Sequence, residues 1–174
     1  GQAKPLVRQS AEETLVDAAN LLAEIVAEDA DDGEIVITPS LRQALNRYAG
    51  RTPDADIWGL KKDRIHTHIY ITGPTGVVLF DSRGKDEGED FSRWNDVHLT
   101  LQGRYGARTT RTDPEDPSTS VMYVAAPIRD GGSLVGVISL GKPGRAIEPF
   151  VQQAGRPLIL YGGLALFGCL VVGV

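Results

Sequence analysis

Cysteine is all but missing from this chain: Cys169 stands alone among 174 residues. One thiol closes no intrachain disulfide and supports no thiolate metal site. Cations are a minority, 18 Lys and Arg against 23 Asp and Glu for a net charge of −5, so the electrostatic footprint of a nucleic-acid binder is lacking. The signatures of common catalysis are also lacking: there is no Gly-x-Ser-x-Gly elbow, no phosphate loop and no zinc-protease helix. Asp81-Ser82 with the distant His98 is a set that almost any chain offers. No catalytic residue and no cofactor is expected. No signal peptide opens the chain, and Gly1 is read as standing in place of an upstream anchor.

Charge vanishes altogether from residues 157–174, Pro-Leu-Ile-Leu-Tyr-Gly-Gly-Leu-Ala-Leu-Phe-Gly-Cys-Leu-Val-Val-Gly-Val. As a helix this run would measure about 27 Å, just short of the ~30 Å bilayer core. It reads as the start of a truncated transmembrane helix, the alternative being a buried C-terminal core helix. Residues 1–156 are then one extramembrane domain, long enough for a core of their own.

Pro5 to about Glu28 reads as a long helix, with Val7, Ala11, Leu15, Ala18, Leu22 and Ile25 forming a narrow apolar stripe of the coiled-coil kind. The stripe suits a homodimer, the alternative being packing within its own domain. Pro39-Ser40 opens a short helix with Ser40 as the expected N-cap, Leu41, Leu45 and Tyr48 on one face, and Gly50 as its stop. Strands are expected at Arg64–Thr72, Val77–Asp81, Ala107–Thr112, Ser120–Asp130 and Ser133–Gly141, the last two joined by Gly131-Gly132 as a hairpin. A short helix is expected over Asp90–Gln102, closed by Gly103, and Gly144–Pro149 leads into a last helix continuing toward the membrane. The fold class is therefore α+β: a long N-terminal helix and short helices on a five-stranded antiparallel sheet. Helices at both ends, the last pointing into a membrane, suit an extracytoplasmic sensor.

The strings Phe80-Asp-Ser82, Asp90-Phe-Ser-Arg-Trp-Asn-Asp-Val97, Leu101-Gln-Gly-Arg-Tyr-Gly-Ala-Arg108 and Ser120-Val-Met-Tyr-Val-Ala-Ala-Pro-Ile128 resemble the sensor region of the CreC histidine kinases. The likeness covers nearly the whole chain, including Lys4-Pro5 and the exit Gly141-Lys-Pro143. It implies a PAS-like, single-Cache fold. The parent protein would be an inner-membrane sensor kinase with this domain in the bacterial periplasm. The implied partner is a CreB-type response regulator, reached through a kinase domain outside this chain, and the implied theme is carbon-source control.

In a fold of that kind the short helix covers a pocket on the sheet. Arg93 and Trp94, about 100° apart on a helix, would clamp a carboxylate and cap an apolar ligand body. The plainer reading makes Trp94 core, and Arg93 a surface residue or a partner of Asp96. His68 and Tyr70 share a strand face suited to a small anion, and His68 titrates near physiological pH; the plainer reading is a hydrogen-bonded structural histidine. His66-x-His68 has a zinc-compatible spacing, but two ligands make no site and none is assigned. Met122 and Tyr123 point to opposite faces, and the resemblance favours Tyr123 as the pocket residue. Arg104, Arg108 and Arg111 form a positive cluster for a carboxylate or phosphate, or for polar head groups nearby, Arg108 being the candidate ligand residue, unless they are a solvated face.

Three functions follow. The first is a small-molecule sensor, for which arginines and a histidine around an aromatic suggest a carboxylate. The second is a ligandless dimerisation or interaction module, which a pocket filled by its own side chains would favour. The third is the same sensor on another output, a chemoreceptor or cyclase.

Overall fold

The computed structural model describes residues 3–57 and 59–146. The apolar run 157–174 and the helix expected to lead into it lie outside the described residues. Among the described residues, no helix is long and apolar enough to cross a membrane.

Helix α1 spans Ala3–Ala27 and α2 spans Pro39–Ala49. The strands are β1 Ala55–Ile57, β2 Leu60–Lys62, β3 His68–Thr72 and β4 Val78–Asp81, then β5 Gly106–Arg111, β6 Ser120–Asp130 and β7 Ser133–Pro143, with α3 at Asn95–Leu101 between β4 and β5. Strands β3 to β7 form one antiparallel sheet in the order β4-β3-β7-β6-β5. The small β1–β2 hairpin stands apart from it and is absent from the sequence expectation. Its strands carry no alternating apolar face, with Asp56, Lys61 and Lys62 among six residues.

The β6–β7 hairpin turns at Gly131 and Gly132, with φ of 55° and 87°. Two consecutive positive φ values make the primed turn whose twist matches paired strands. The cap of helix α2 lies two positions before the sequence expectation. Thr38, not Ser40, is the N-cap, its Oγ1 accepting from Leu41 N at 3.2 Å, and Pro39 takes the first turn where its missing N–H costs nothing. Leu41 and Leu45 are buried on the expected face, while Tyr48 is exposed. Strand β3 is shorter than expected: residues 64–67 lie outside it.

The sheet has two covered faces. On one, α1 packs over β6 and β7, and α1 and α2 close a core with Ile69, Ile71, Phe80, Val124, Ile128, Ile138 and Leu140. On the other, α3 covers Tyr70, Tyr123, Val78 and Val137. The period-2 alternation of β3 and β6 thus sends Ile69, Ile71 and Met122 to α1, and Tyr70 and Tyr123 to α3.

The apolar stripe on α1 divides into two. The face on the sheet is Leu15, Ala19, Ala23 and Val26, all buried, with Leu22 alongside. Ile25, expected in the same stripe, is 48% exposed and Leu21 is 64% exposed. At 100° per residue, Val7, Ala11, Thr14, Ala18, Leu21 and Ile25 line up as a second seam with spacings of 4, 3, 4, 3 and 4. Apolar residues on adjacent faces of one helix merge into a single stripe when no partner is known.

Candidate functional site

The site lies between α3 and the sheet and is built from the bottom by β3. His68 and Tyr70 share its lower face, ring centroids 5.7 Å apart. Tyr123 of β6 joins them, 5.8 Å from Tyr70 and 5.6 Å from His68, lying against Gly141 opposite, where a Cβ would collide with its ring. Phe91 stacks edge-on to Tyr70 at 5.1 Å. Met122 faces away toward α1, so Tyr123 is the strand residue on this side.

Helix α3 is shorter than the expected 90–102. Asp90 Oδ1 accepts from Ser92 N at 2.9 Å, and Trp94 is extended at φ −75° and ψ 130° as the N-cap. A turn held by a side chain therefore replaces the first helical turn. Arg93 and Trp94 consequently precede the helix. Asp96, in its first turn, is carried down against the sheet, where it is fully buried. The fit is close: a Cβ on Gly106 of β5 would overlap Asp96 O and Thr100 Oγ1.

Three donors from three strands converge on the Asp96 carboxylate. Ser139 Oγ of β7 donates to Oδ2 at 2.7 Å, Tyr70 OH of β3 donates to the same oxygen, and Arg108 Nε of β5 donates to Oδ1 at 2.7 Å. The Arg108 guanidinium is also held between two aromatic faces, 4.1 Å from the Tyr123 centroid and 4.5 Å from that of Trp94. Burial works against its charge, but Asp96 more than offsets this and raises its pKa. Burial, then the Asp96 charge, push the Tyr70 phenol far up, so it stays a donor.

A second network adjoins the first. His68 Nε2 meets Asp81 Oδ1 at 2.5 Å and Nδ1 meets Tyr123 OH at 2.8 Å. Burial lowers the His68 pKa, against the pull of Asp81. The neutral imidazole donates from Nε2 to the carboxylate and accepts the Tyr123 hydroxyl at Nδ1. Burial pushes Asp81 up, but the backbone N–H groups of Arg83, Lys85 and Asp86, together with His68, hold its carboxyl below the ordinary value.

Of the six residues singled out in the sequence, the fold brings His68, Tyr70, Trp94, Arg108 and Tyr123 into one contiguous group. Arg93 is exposed and makes no hydrogen bond or ion pair among the described residues. Arg104 is exposed and Arg111 bonds Pro114 O, so the three-arginine cluster disperses and only Arg108 turns inward. His66 is exposed while both ring nitrogens of His68 are engaged. Among the described residues, no group of three or more metal-ligating side chains comes together.

Ser139 is absent from the sequence reading, and Asp96 and Asp81 enter it only as a possible partner of Arg93 and as part of a dismissed catalytic set, not as site residues. Asp96 had a signal: with Val97 and Thr100 it lies on the face of α3 that must be buried, and a carboxylate on such a face demands donors.

No protein-family model matches the chain. Sensor protein CreC of Escherichia coli strain K12 is 46% identical over 172 residues, covering 99% of this chain and 36% of the relative. The chain therefore spans about a third of the length of that curated relative. Among solved structures, the E. coli DcuS sensor domain superposes with a TM-score of 0.51 at 16% identity, over 84% of this chain and 98% of that one. The sensor domain of the V. cholerae histidine kinase DctB gives 0.48 at 15% identity, over 87% and 61%. The DcuS likeness speaks for the fold alone. Over the segment they share, the chain is a relative of the CreC sensor protein.

Proposed function

Taking that kinship as premise, we propose that the chain is the extracytoplasmic sensing domain of a membrane-bound sensor histidine kinase, responding to a small carboxylate-bearing metabolite. The observation that carries this reading is the convergence of Tyr70, Ser139 and Arg108 on one fully buried carboxylate. A cradle of two hydroxyls and a guanidinium suits any carboxylate group, and Trp94, Phe91 and Tyr123 supply aromatic surface for the ligand body. The carboxylate held there belongs to Asp96. A ligand acts by taking its place, and because Asp96 sits in the first turn of α3, its release frees α3 from the sheet. Binding is thereby tied to a conformational difference, the condition for any signal.

The onward route runs through the helices. Tyr105 OH, just beyond α3, donates to Glu12 Oε1 of α1 at 2.5 Å. A displaced α3 changes the load on α1, whose exposed seam through Leu21 and Ile25 pairs with a second copy. The output is a kinase domain outside this chain and its response regulator, at the bacterial inner membrane.

A ligandless interaction module is the second reading, favoured by the same filling of the site by Asp96. A thermal-shift screen of the chain in neutral detergent, with metabolite carboxylates, amino acids and phosphates, separates the two. A rise of several degrees with one carboxylate class, lost in Arg108→Lys, supports the sensor; no shift with any compound supports the module.

A further inference from the structure

A second polar site lies at the opposite end of β3 from its turn, where β7 ends. The β1–β2 hairpin, the 61–67 segment and the end of β7 enclose a cavity of about 300 Å³. Its walls carry Lys61, Lys62, Lys142 and Arg145, with His66 at the side. The one carboxylate in the wall, Asp63, is turned to Arg64, 3.8 Å away. Ile57 and Leu60 give the cavity an apolar side. None of these residues belongs to the Asp96 or His68 network.

The concentration of positive charge is unusual for a chain of net charge −5. Among the described residues, none of the four cations has a carboxylate within ion-pair distance. Lys142 is half-buried, and burial together with Lys62 lowers its pKa. A partly desolvated ammonium facing other cations is destabilising unless an anion joins them. Arg145 also lines a neighbouring cavity of about 570 Å³ that carries Arg83 and Lys85, so the positive surface continues around this end of the domain.

We propose that this cavity is an anion site for a phosphate-bearing molecule, with Lys62, Lys142 and Arg145 as its ligands and Ile57 and Leu60 against the organic part. Phosphate fits better than carboxylate because four uncompensated cations suit a group with more acceptor oxygens, which carries up to two negative charges as a monoester and one as a phospholipid diester. The phosphate has two sources, a soluble phosphate ester or a phospholipid headgroup, the latter because Arg145 shortly precedes the apolar run 157–174.

The test is calorimetric titration of the full chain in neutral detergent micelles. The probes are inorganic phosphate, glycerol 1-phosphate, and water-soluble dihexanoylphosphatidylglycerol with its phosphatidylcholine counterpart. Saturable binding of the soluble phosphates identifies a free phosphate as the source, and binding of phosphatidylglycerol alone identifies a headgroup. In either case Lys142→Gln and the double variant Lys62→Gln, Arg145→Gln weaken binding by about tenfold or more, the size of one lost charge-assisted hydrogen bond. The double variant keeps the half-buried Lys142 and carries the test should Lys142→Gln misfold. No binding of any phosphate probe, or equal binding by the folded double variant, overturns the site. Neither outcome touches the α3 carboxylate reading, which Arg108→Lys tests separately.

Discussion

Arg108 Nε lies 2.7 Å from Asp96 Oδ1, and the two side chains differ in their access to water: that of Asp96 has none, while that of Arg108 keeps 12% of its surface. The pair joins β5 to the first turn of α3. Removing the carboxylate leaves a guanidinium between two aromatic rings with nothing to neutralise it, and leaves Tyr70 and Ser139 without their acceptor.

Asp96→Ala is therefore expected to destabilise the domain by about 3–5 kcal/mol, the range for breaking a buried pair by removing one partner. Acetate or formate should restore part of the lost melting temperature in this variant, and chloride should not. A variant as stable as the parent, or one indifferent to carboxylates, would contradict the cradle.

Gly106→Ala places a methyl group where Asp96 O and Thr100 Oγ1 already lie. Helix α3 must lift to admit it, at about 1–3 kcal/mol. Amide exchange should quicken across residues 95–101 while the α1 face keeps its protection. Uniform loss of protection would mean that α3 is not a separate layer.

Acid stability follows from His68 and Asp81. Folded His68 has a lowered pKa, with burial the leading cause, so below the ordinary histidine value of about 6.5 the unfolded chain binds a proton that the folded chain refuses. Stability is full above that pH and falls as the pH drops from it. Asp81, also lowered in the folded state, adds a second loss below about pH 4. Melting temperature measured from pH 7.5 downward should show both steps, and His68→Gln should shrink the first to what His66, also lowered by burial, contributes. A flat profile between pH 7 and 5 would refute the buried neutral imidazole.

Leu15→Glu and Leu21→Glu should behave oppositely. Leu15 is 5% exposed in the core, and a charge there unfolds the domain. Leu21 is 64% exposed, so Leu21→Glu with Ile25→Glu should leave the melting temperature nearly unchanged and shift sedimentation from dimer to monomer. Persistence of a dimer in the double variant would move the contact elsewhere.

Arg93→Ala should be silent, within about 0.5 kcal/mol in stability as for surface substitutions generally. Any carboxylate-induced thermal shift should survive it. Loss of that shift would return Arg93 to the site.

The sheet was legible because its signals are local. Gly131-Gly132 can hardly be anything but a hairpin turn, and the β6 boundaries followed from it. Helix α2 was placed by Pro39, with the cap misassigned by two positions because Thr38 and Ser40 both flank the proline and only the backbone decides between them. The site was legible in part. His68, Tyr70 and Tyr123 are related by strand alternation, which a sequence displays. The pairing of Asp96 with Arg108 depends on where α3 lies across β5, and the pairing of His68 with Asp81 depends on how β4 returns. Those registers are set by tertiary packing. Arg93 and Arg108 are both candidates in the sequence, but only Arg93 can be tied there to Trp94, which it neighbours in the chain, whereas Arg108 neighbours Trp94 only in space.

Helix α1 meets the sheet through Ala19 and Ala23 at the middle of its buried face, with the larger Leu15 and Val26 at either end. Methyl groups make a shallow surface that interlocks little with the strands beneath. Enlarging Ala19 or Ala23 would therefore wedge the helix away from the sheet along its middle turns, as a shim lifts a beam off its bed.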